Sequence, residues 1–127
     1  MDLQLQGRVA IVLASTKGLG KATALSLAAE GANVAICGRD EAALAATRAE
    51  IIDKTGKEPL AMLVDVTKAE DIQKLVDETA ARFGRVDILI NNAGGPAAGT
   101  FDQLTDEQWI AAFELNLLSF VRAIRAV

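Results

Sequence analysis

The chain has no histidine, no tyrosine, one cysteine and only 2 prolines among its 127 residues. Without histidine, neither a Ser-His-Asp nor a Cys-His nucleophile can be assembled, and the usual Cys/His zinc sets are excluded, so no metal is expected. The single thiol, Cys37, cannot close an internal disulfide, and nothing points to an oxidising compartment; within the apolar run Val34-Ala35-Ile36-Cys37 it reads as a buried side chain. No basic block is present either. The 13 basic and 17 acidic residues leave a formal charge of -4, which sets nucleic acid aside as a partner while leaving room for a few cations around one small phosphorylated ligand. The start, Met1-Asp2-Leu3-Gln4, lacks a basic leader segment, and the apolar run after Arg8 falls far short of the roughly 20 residues that span a bilayer. A soluble cytoplasmic protein with no membrane partner is the expectation.

What is present is apolar and regularly spaced. At 51% hydrophobic residues, a chain of this length can bury the core of one globular domain. Val9 to Leu13, Asn33 to Cys37, Leu60 to Val64 and Val86 to Ile90 are short runs without polar alternation, as expected of strands buried on both faces. Helical spacing separates them. Leu19, Ala22, Thr23, Leu27 and Ala28 predict a core-facing stripe on a first helix ending at Gly31. Asp40 caps a second helix through Leu44, Arg48, Ile51 and Ile52 to Gly56, and a Thr67/Glu70 capping box opens a third, through Ile72, Leu75, Val76, Thr79 and Phe83 to Gly84. A Thr105/Gln108 capping box opens a last helix that runs to the final residue. The order βαβαβαβ followed by helix predicts a doubly wound parallel sheet with helices on both faces, in one domain portion over 1–127.

Two features predict further chain or a second subunit beyond Val127. Leu115, Leu117, Leu118, Phe120, Val121, Ile124 and Val127 are too many large apolar residues for one face of a terminal helix, and Val86 to Ile90 is a poor edge strand.

The first strand runs into Ala14-Ser15-Thr16-Lys17-Gly18-Leu19-Gly20 and then into a helix. Such a turn directs unpaired backbone N–H groups and the positive end of the helix dipole at one spot, which suits a pyrophosphate. Gly18 and Gly20 allow close approach, with Ser15, Thr16 and Lys17 adding donors. The fingerprint G-x-G-x-x-G is not met, because residue 23 is threonine, nor is the nucleoside-triphosphate loop. A glycine pair at a helix start also occurs for structural reasons alone.

The end of the second strand is where an adenosine ribose is reached in such a fold, and an acidic residue there repels a 2'-phosphate. Gly38-Arg39-Asp40 instead places Arg39 there, nineteen residues after Gly20; its planar fork and the Lys17 charge suit a phosphate dianion and favour NADPH over NADH. An ordinary solvated Arg39 and a purely capping Asp40 are the alternative. Asp65 can accept from an adenine amino group with Val66 against the ring, or serve as a local turn acceptor. In Asn91-Asn92-Ala93-Gly94, small residues admit a flat ligand, while the amides join strands or meet ribose.

Taken together these motifs resemble the classical short-chain dehydrogenase/reductase family, in particular its 3-oxoacyl-acyl-carrier-protein reductase-like members, over essentially the whole chain. The family's Thr-Gly-x-x-x-Gly-x-Gly loop aligns with Leu13 to Gly20, with Leu13 and Ala14 replacing the first threonine and glycine; its Asn-Asn-Ala-Gly matches Asn91 to Gly94 unchanged. The resemblance implies a Rossmann-type fold, NADP(H) bound by residues 15–20, Arg39, Asp65, Val66, Asn92, Ala93 and Gly94, and a small carbonyl or alcohol substrate. It also implies a dimer or tetramer. Asn116 corresponds to the family's helix asparagine, which holds a water in a proton relay; a helix bend or a structural water is an equally good, plainer reason for an amide in that apolar stretch. The family's serine and Tyr-x-x-x-Lys pair have no counterpart in a chain without tyrosine. A truncated cofactor-binding portion, inactive alone, of a reductase about twice as long is therefore expected. Two other readings stay open: a non-catalytic NADP-sensing module that dimerises or binds a partner protein, and an unrelated doubly wound domain with another ligand.

Overall fold

The computed structural model describes residues 1–127. Four strands, β1 (Val9–Val12), β2 (Asn33–Gly38), β3 (Leu60–Leu63) and β4 (Ile88–Ile90), form one parallel sheet in the order β3-β2-β1-β4. The intervening helices are α1 (Gly18–Ala29), α2 (Glu41–Thr55) and α3 (Ala69–Phe83); after β4 come α4 (Asp106–Phe113), a π-helical turn (Glu114–Leu118) and α5 (Ser119–Ala126). The expected doubly wound architecture is present. Alternation along each strand divides the core between the two faces. Ala10, Val12, Val34 and Ile36 pack with Ala24, Ala28, Leu44 and Ile51 from α1 and α2, while Ile11, Leu13, Ala35 and Cys37 pack with Ile72, Leu75, Val76 and Ala123 from α3 and α5. Cys37 is fully buried, and loss of solvation pushes its thiol up to about 11, so it acts as a small apolar side chain.

The helix ends largely follow the sequence. Asp40 accepts from the Ala43 amide at 3.0 Å, Gly31, Gly56 and Gly84 take positive φ just past their helices, and the Thr105/Gln108 box is closed from both sides at 3.2 and 2.9 Å.

Three local expectations are corrected. Leu19 is 82% exposed and Ala22 faces solvent, because α1 meets the sheet through the smaller Gly20, Ala24 and Ala28, which let the helix lie closer. The Thr67/Glu70 box does not form. Thr67 donates its amide and hydroxyl to Asp65 Oδ1, at 3.0 and 2.6 Å, and Asp71 in the first turn of α3 instead reaches back to the Asp65 amide at 2.9 Å. The fourth strand begins at Ile88 rather than Val86, because the Asp87 carboxylate, braced by Arg85, takes the Val9 amide at 2.9 Å in place of a backbone carbonyl, while the Asp87 amide still donates to the Val9 carbonyl at 2.9 Å.

No helix is long and apolar enough to cross a membrane, and no group of three acidic, cysteine or histidine side chains gathers as a metal site. The helical region after β4 leaves a broad apolar face uncovered, with Ile110, Phe113, Leu117 and Ile124 more than half exposed, while Ser119 and Ala123 seat α5 against the body.

Candidate functional site

All four strands deliver their carboxyl ends to one edge of the sheet, and β1 and β4 diverge there in connectivity, since the chain leaves β1 toward β2 on one side and returns as β4 on the other. Ligands of doubly wound sheets bind at this switch point.

The loop after β1 is shaped by Ala14, whose φ of +47° turns the backbone in a region that strains any residue with a Cβ. Ser15 repairs the pairing that this turn interrupts. Its amide donates to the Cys37 carbonyl at 2.9 Å, and its hydroxyl accepts from the Cys37 amide at 2.9 Å while donating to the Val12 carbonyl at 2.8 Å. The Ser15 hydroxyl therefore faces the interior and does not join the donors expected around a phosphate; its buried side chain extends the β1–β2 ladder. Thr16 packs its methyl group over Gly38, where an added Cβ would fall 2.5 Å from Thr16 Cγ2. Lys17, exposed and extended, leads into α1 without a side-chain cap, and Gly18 at φ +55° faces open space. The first amides of α1 thus point to the rim uncapped by any side chain.

Gly20 sets how closely α1 approaches. A Cβ there would lie 2.3 Å from the Ala14 carbonyl oxygen and 2.7 Å from Asn92 Nδ2. Asn92 occupies that position because its amide donates to the Ala14 and Leu13 carbonyls at 3.0 and 3.3 Å, tying the end of β4 to the loop after β1. Of the two roles considered for Asn92, the structure displays the strand-joining one. Asn91 Oδ1 is buried without a hydrogen-bond partner. Ala93 is half-buried, and Gly94 opens onto the rim with no atom where its Cβ would stand.

These elements enclose an open cleft of about 120 Å³. Ala14, Thr16, Gly38 and Val64 line it at the strand ends, Lys17 and Arg39 bring positive charge, Asp65 and Val66 form one side, and Gly94 and Leu115 complete it. Its size is below the roughly 300–1,000 Å³ of an enclosed ligand pocket, so it can cradle one end of an extended ligand along the sheet edge. Asp65 is held below the usual carboxylate range, first by the Thr67 hydroxyl and amide and then by the charges of Lys68 and Arg39. It is a local turn acceptor and a cleft residue at once.

The structure does not unite every expected residue. Leu19 projects into solvent, and Asn116 lies outside the cleft, exposed within the π turn, its amide donating to the Ala112 carbonyl at 3.0 Å. Ser119 donates likewise to the Leu115 carbonyl at 2.5 Å. Side chains that bond back to the helix in this way bend it, and π turns occur often at functional sites. Beside Asn116, Trp109, Ala112, Phe113 and Leu117 form an apolar hollow. Gly38, Val64 and Leu115 are cleft residues that sequence reasoning missed. Gly38 carried a signal, standing before Arg39 at a strand end, whereas Leu115 reaches the cleft only through the packing of the π turn.

Against protein families, residues 8–127 match the short chain dehydrogenase model. The chain belongs to the short chain dehydrogenase family. A 3-oxoacyl-[acyl-carrier-protein] reductase of Synechocystis sp. is 36% identical over 124 residues, 97% of this chain and 50% of that protein. Among solved structures, L-sorbose reductase of Gluconobacter frateurii, complexed with NADPH and L-sorbose, superposes with a TM-score of 0.95 at 33% identity, covering 100% of this chain and 48% of that one. A short chain dehydrogenase of Burkholderia cenocepacia in complex with NADP gives 0.89 at 36% identity, over 96% and 50%. The chain spans about half the length of the curated relatives it matches. The positive φ of Ala14 is one that glycine would adopt without strain.

Proposed function

We propose that this chain binds NADP(H) for an oxidoreductase that reduces a carbonyl to a hydroxyl, with a 3-oxoacyl thioester as the substrate class suggested by its reductase relatives. The observation that carries the reading is the placement of Lys17 and Arg39 on the same cleft, beside an uncapped helix start, while Asp40, next in the chain, caps α2 by accepting from the Ala43 amide and does not line the cleft. The residues present fit the group. Gly18 and Gly94 leave open space, the α1 amides offer donors to a diphosphate, and Thr16 adds a hydroxyl near them. Arg39 offers a planar fork to a 2'-phosphate with Lys17 as a point charge. Asp65 accepts from the adenine amino group, with Val66 against the ring. Asn92 holds the loop geometry, and Ala93 and Gly94 leave a flat surface.

When bound, the nicotinamide supplies hydride. Proton delivery needs a donor at the carbonyl oxygen, and a chain without tyrosine does not carry the family's one. We therefore assign cofactor binding to these residues, with Asn116 holding the water of a proton relay, and place the serine, tyrosine and lysine of the reaction outside them. The intact protein is assigned to the cytoplasm as a homo-oligomer. A non-catalytic NADP-sensing role is favoured only by the uncovered apolar face of α4 and α5.

The test is a titration followed by nicotinamide fluorescence. NADPH is expected to bind at least about tenfold more tightly than NADH, a difference near 1.4 kcal/mol. Arg39→Asp is expected to abolish that preference. Equal affinity of the unaltered protein for both reduced cofactors would remove the assignment of a 2'-phosphate site.

A further inference from the structure

One cation near the cleft is not used by this reading. Arg122 on α5 directs Nη1 across the molecule to the Thr67 carbonyl at 3.0 Å, over a separation of 55 residues, and to Glu114 Oε2 at 2.7 Å. Thr67 belongs to the turn whose other end is Asp65, the turn being closed by the two bonds from Thr67 to Asp65 Oδ1. Glu114 opens the π turn whose next residue, Leu115, lines the same cleft. One guanidinium group therefore connects the two pieces of chain that supply Asp65, Val66 and Leu115.

We propose that Arg122 is a positioning residue for the adenosine end of the cofactor, fixing the Asp65–Thr67 turn through the Thr67 carbonyl and the π turn through Glu114. This rests on the cofactor reading above. Asp71 ties the start of the turn to α3 through the Asp65 amide, and Arg122 ties its end to α5 through the Thr67 carbonyl. Thermodynamic stabilisation is a poor account of the pair. Arg122 and Glu114 side chains are 26% and 36% exposed, and ion pairs open to solvent add little to stability. Geometry is the better account, because both bonds leave one nitrogen, Nη1, whose two N–H groups are fixed in the guanidinium plane and so fix the directions to the carbonyl and the carboxylate together, which a freely rotating ammonium does less well. Without the guanidinium, the Thr67 carbonyl and the Glu114 carboxylate face each other as two acceptors, and the turn shifts to separate them.

The experiment compares Arg122→Gln and Arg122→Lys with the unaltered intact protein, using three ligands: NADPH, adenosine 2',5'-bisphosphate and nicotinamide mononucleotide. Arg122→Gln is expected to weaken NADPH and the adenosine bisphosphate alike, by roughly fivefold, as expected for loss of a coupled polar contact. Nicotinamide mononucleotide affinity should stay unchanged. Arg122→Lys should recover part of the loss, and Tm should move by less than about 4 °C in either variant. Should Arg122→Gln fail to fold, Glu114→Gln provides the same comparison, with a smaller loss confined to the adenosine ligands. Unchanged adenosine affinity in the variants, or an equal loss for the mononucleotide, overturns the proposal while leaving the cofactor site intact. Failure of the unaltered protein to bind NADPH overturns both.

Discussion

Ala14 and Gly20 face each other across the loop after β1, and each is constrained by the other. Ala14 sits at φ +47°, and such a conformation costs a residue with a Cβ roughly 1–2 kcal/mol. Replacing it with glycine relieves that strain but increases the freedom of the unfolded chain, a smaller opposing effect. Ala14→Gly is therefore expected to raise stability by roughly 0.5 kcal/mol, read as a higher urea midpoint at unchanged m-value. The reverse change at Gly20 meets backbone. With the Ala14 oxygen only 2.3 Å from the new Cβ, α1 must move away from the sheet edge. Gly20→Ala should cost roughly 2–3 kcal/mol in urea unfolding and lose NADPH binding, because the same shift displaces the α1 amides. A stable Gly20→Ala variant with unaltered affinity would contradict the close approach described for this loop.

Strand β4 is short because the Asp87 side chain captures the Val9 amide. The Asp87 carboxylate is held below the ordinary value, chiefly by the Val9 amide it accepts from and then by Arg85 and Arg8. A carboxylate whose folded value is depressed contributes stability that is present above its unfolded value and fades as pH falls through the folded one. The unfolded value is about 3.9. The unaltered protein should therefore be more stable than Asp87→Asn at pH 7, with the difference in urea midpoint narrowing as the pH is lowered below about 4. A difference constant with pH would mean that the ionised state of Asp87 is irrelevant to the β1–β4 pairing. The same arrangement explains why the strand could not be delimited from its apolar residues: Val86 reads as strand, but the carboxylate of the aspartate beside it takes the Val9 amide.

At the scale of the whole molecule, one surface stands apart. Ile110, Phe113, Leu117 and Ile124 expose more than half of their area along one helical region, a larger apolar surface than scattered single residues make. The 127-residue chain alone is expected to self-associate in a concentration-dependent way in sedimentation velocity, and Leu117→Glu with Ile124→Lys should reduce that association without altering the fold seen by circular dichroism. Persistent association of the double variant would move the contact to another face, such as the outer edge of β4.

How much could be read beforehand differs by scale for a physical reason. Short apolar runs, the spacing of helical stripes, Asp40, the Thr105/Gln108 pair and the glycines after three helices carry their meaning in neighbouring residues, and from them the sequence alone determined the element order, the doubly wound class and the family motifs. Lys17, Arg39, Asp65 and Gly94 could be placed in the cleft because a parallel sheet with this order brings all strand ends to one edge. Only the tertiary structure decided the inward turn of Ser15, the exposure of Leu19, the entry of Leu115 into the cleft and the link from Arg122 to Thr67. Each of these depends on which of two faces, or which of two distant partners, a side chain meets. Local spacing leaves that choice open, and the close packing of α1, the π turn and α5 against the sheet makes it.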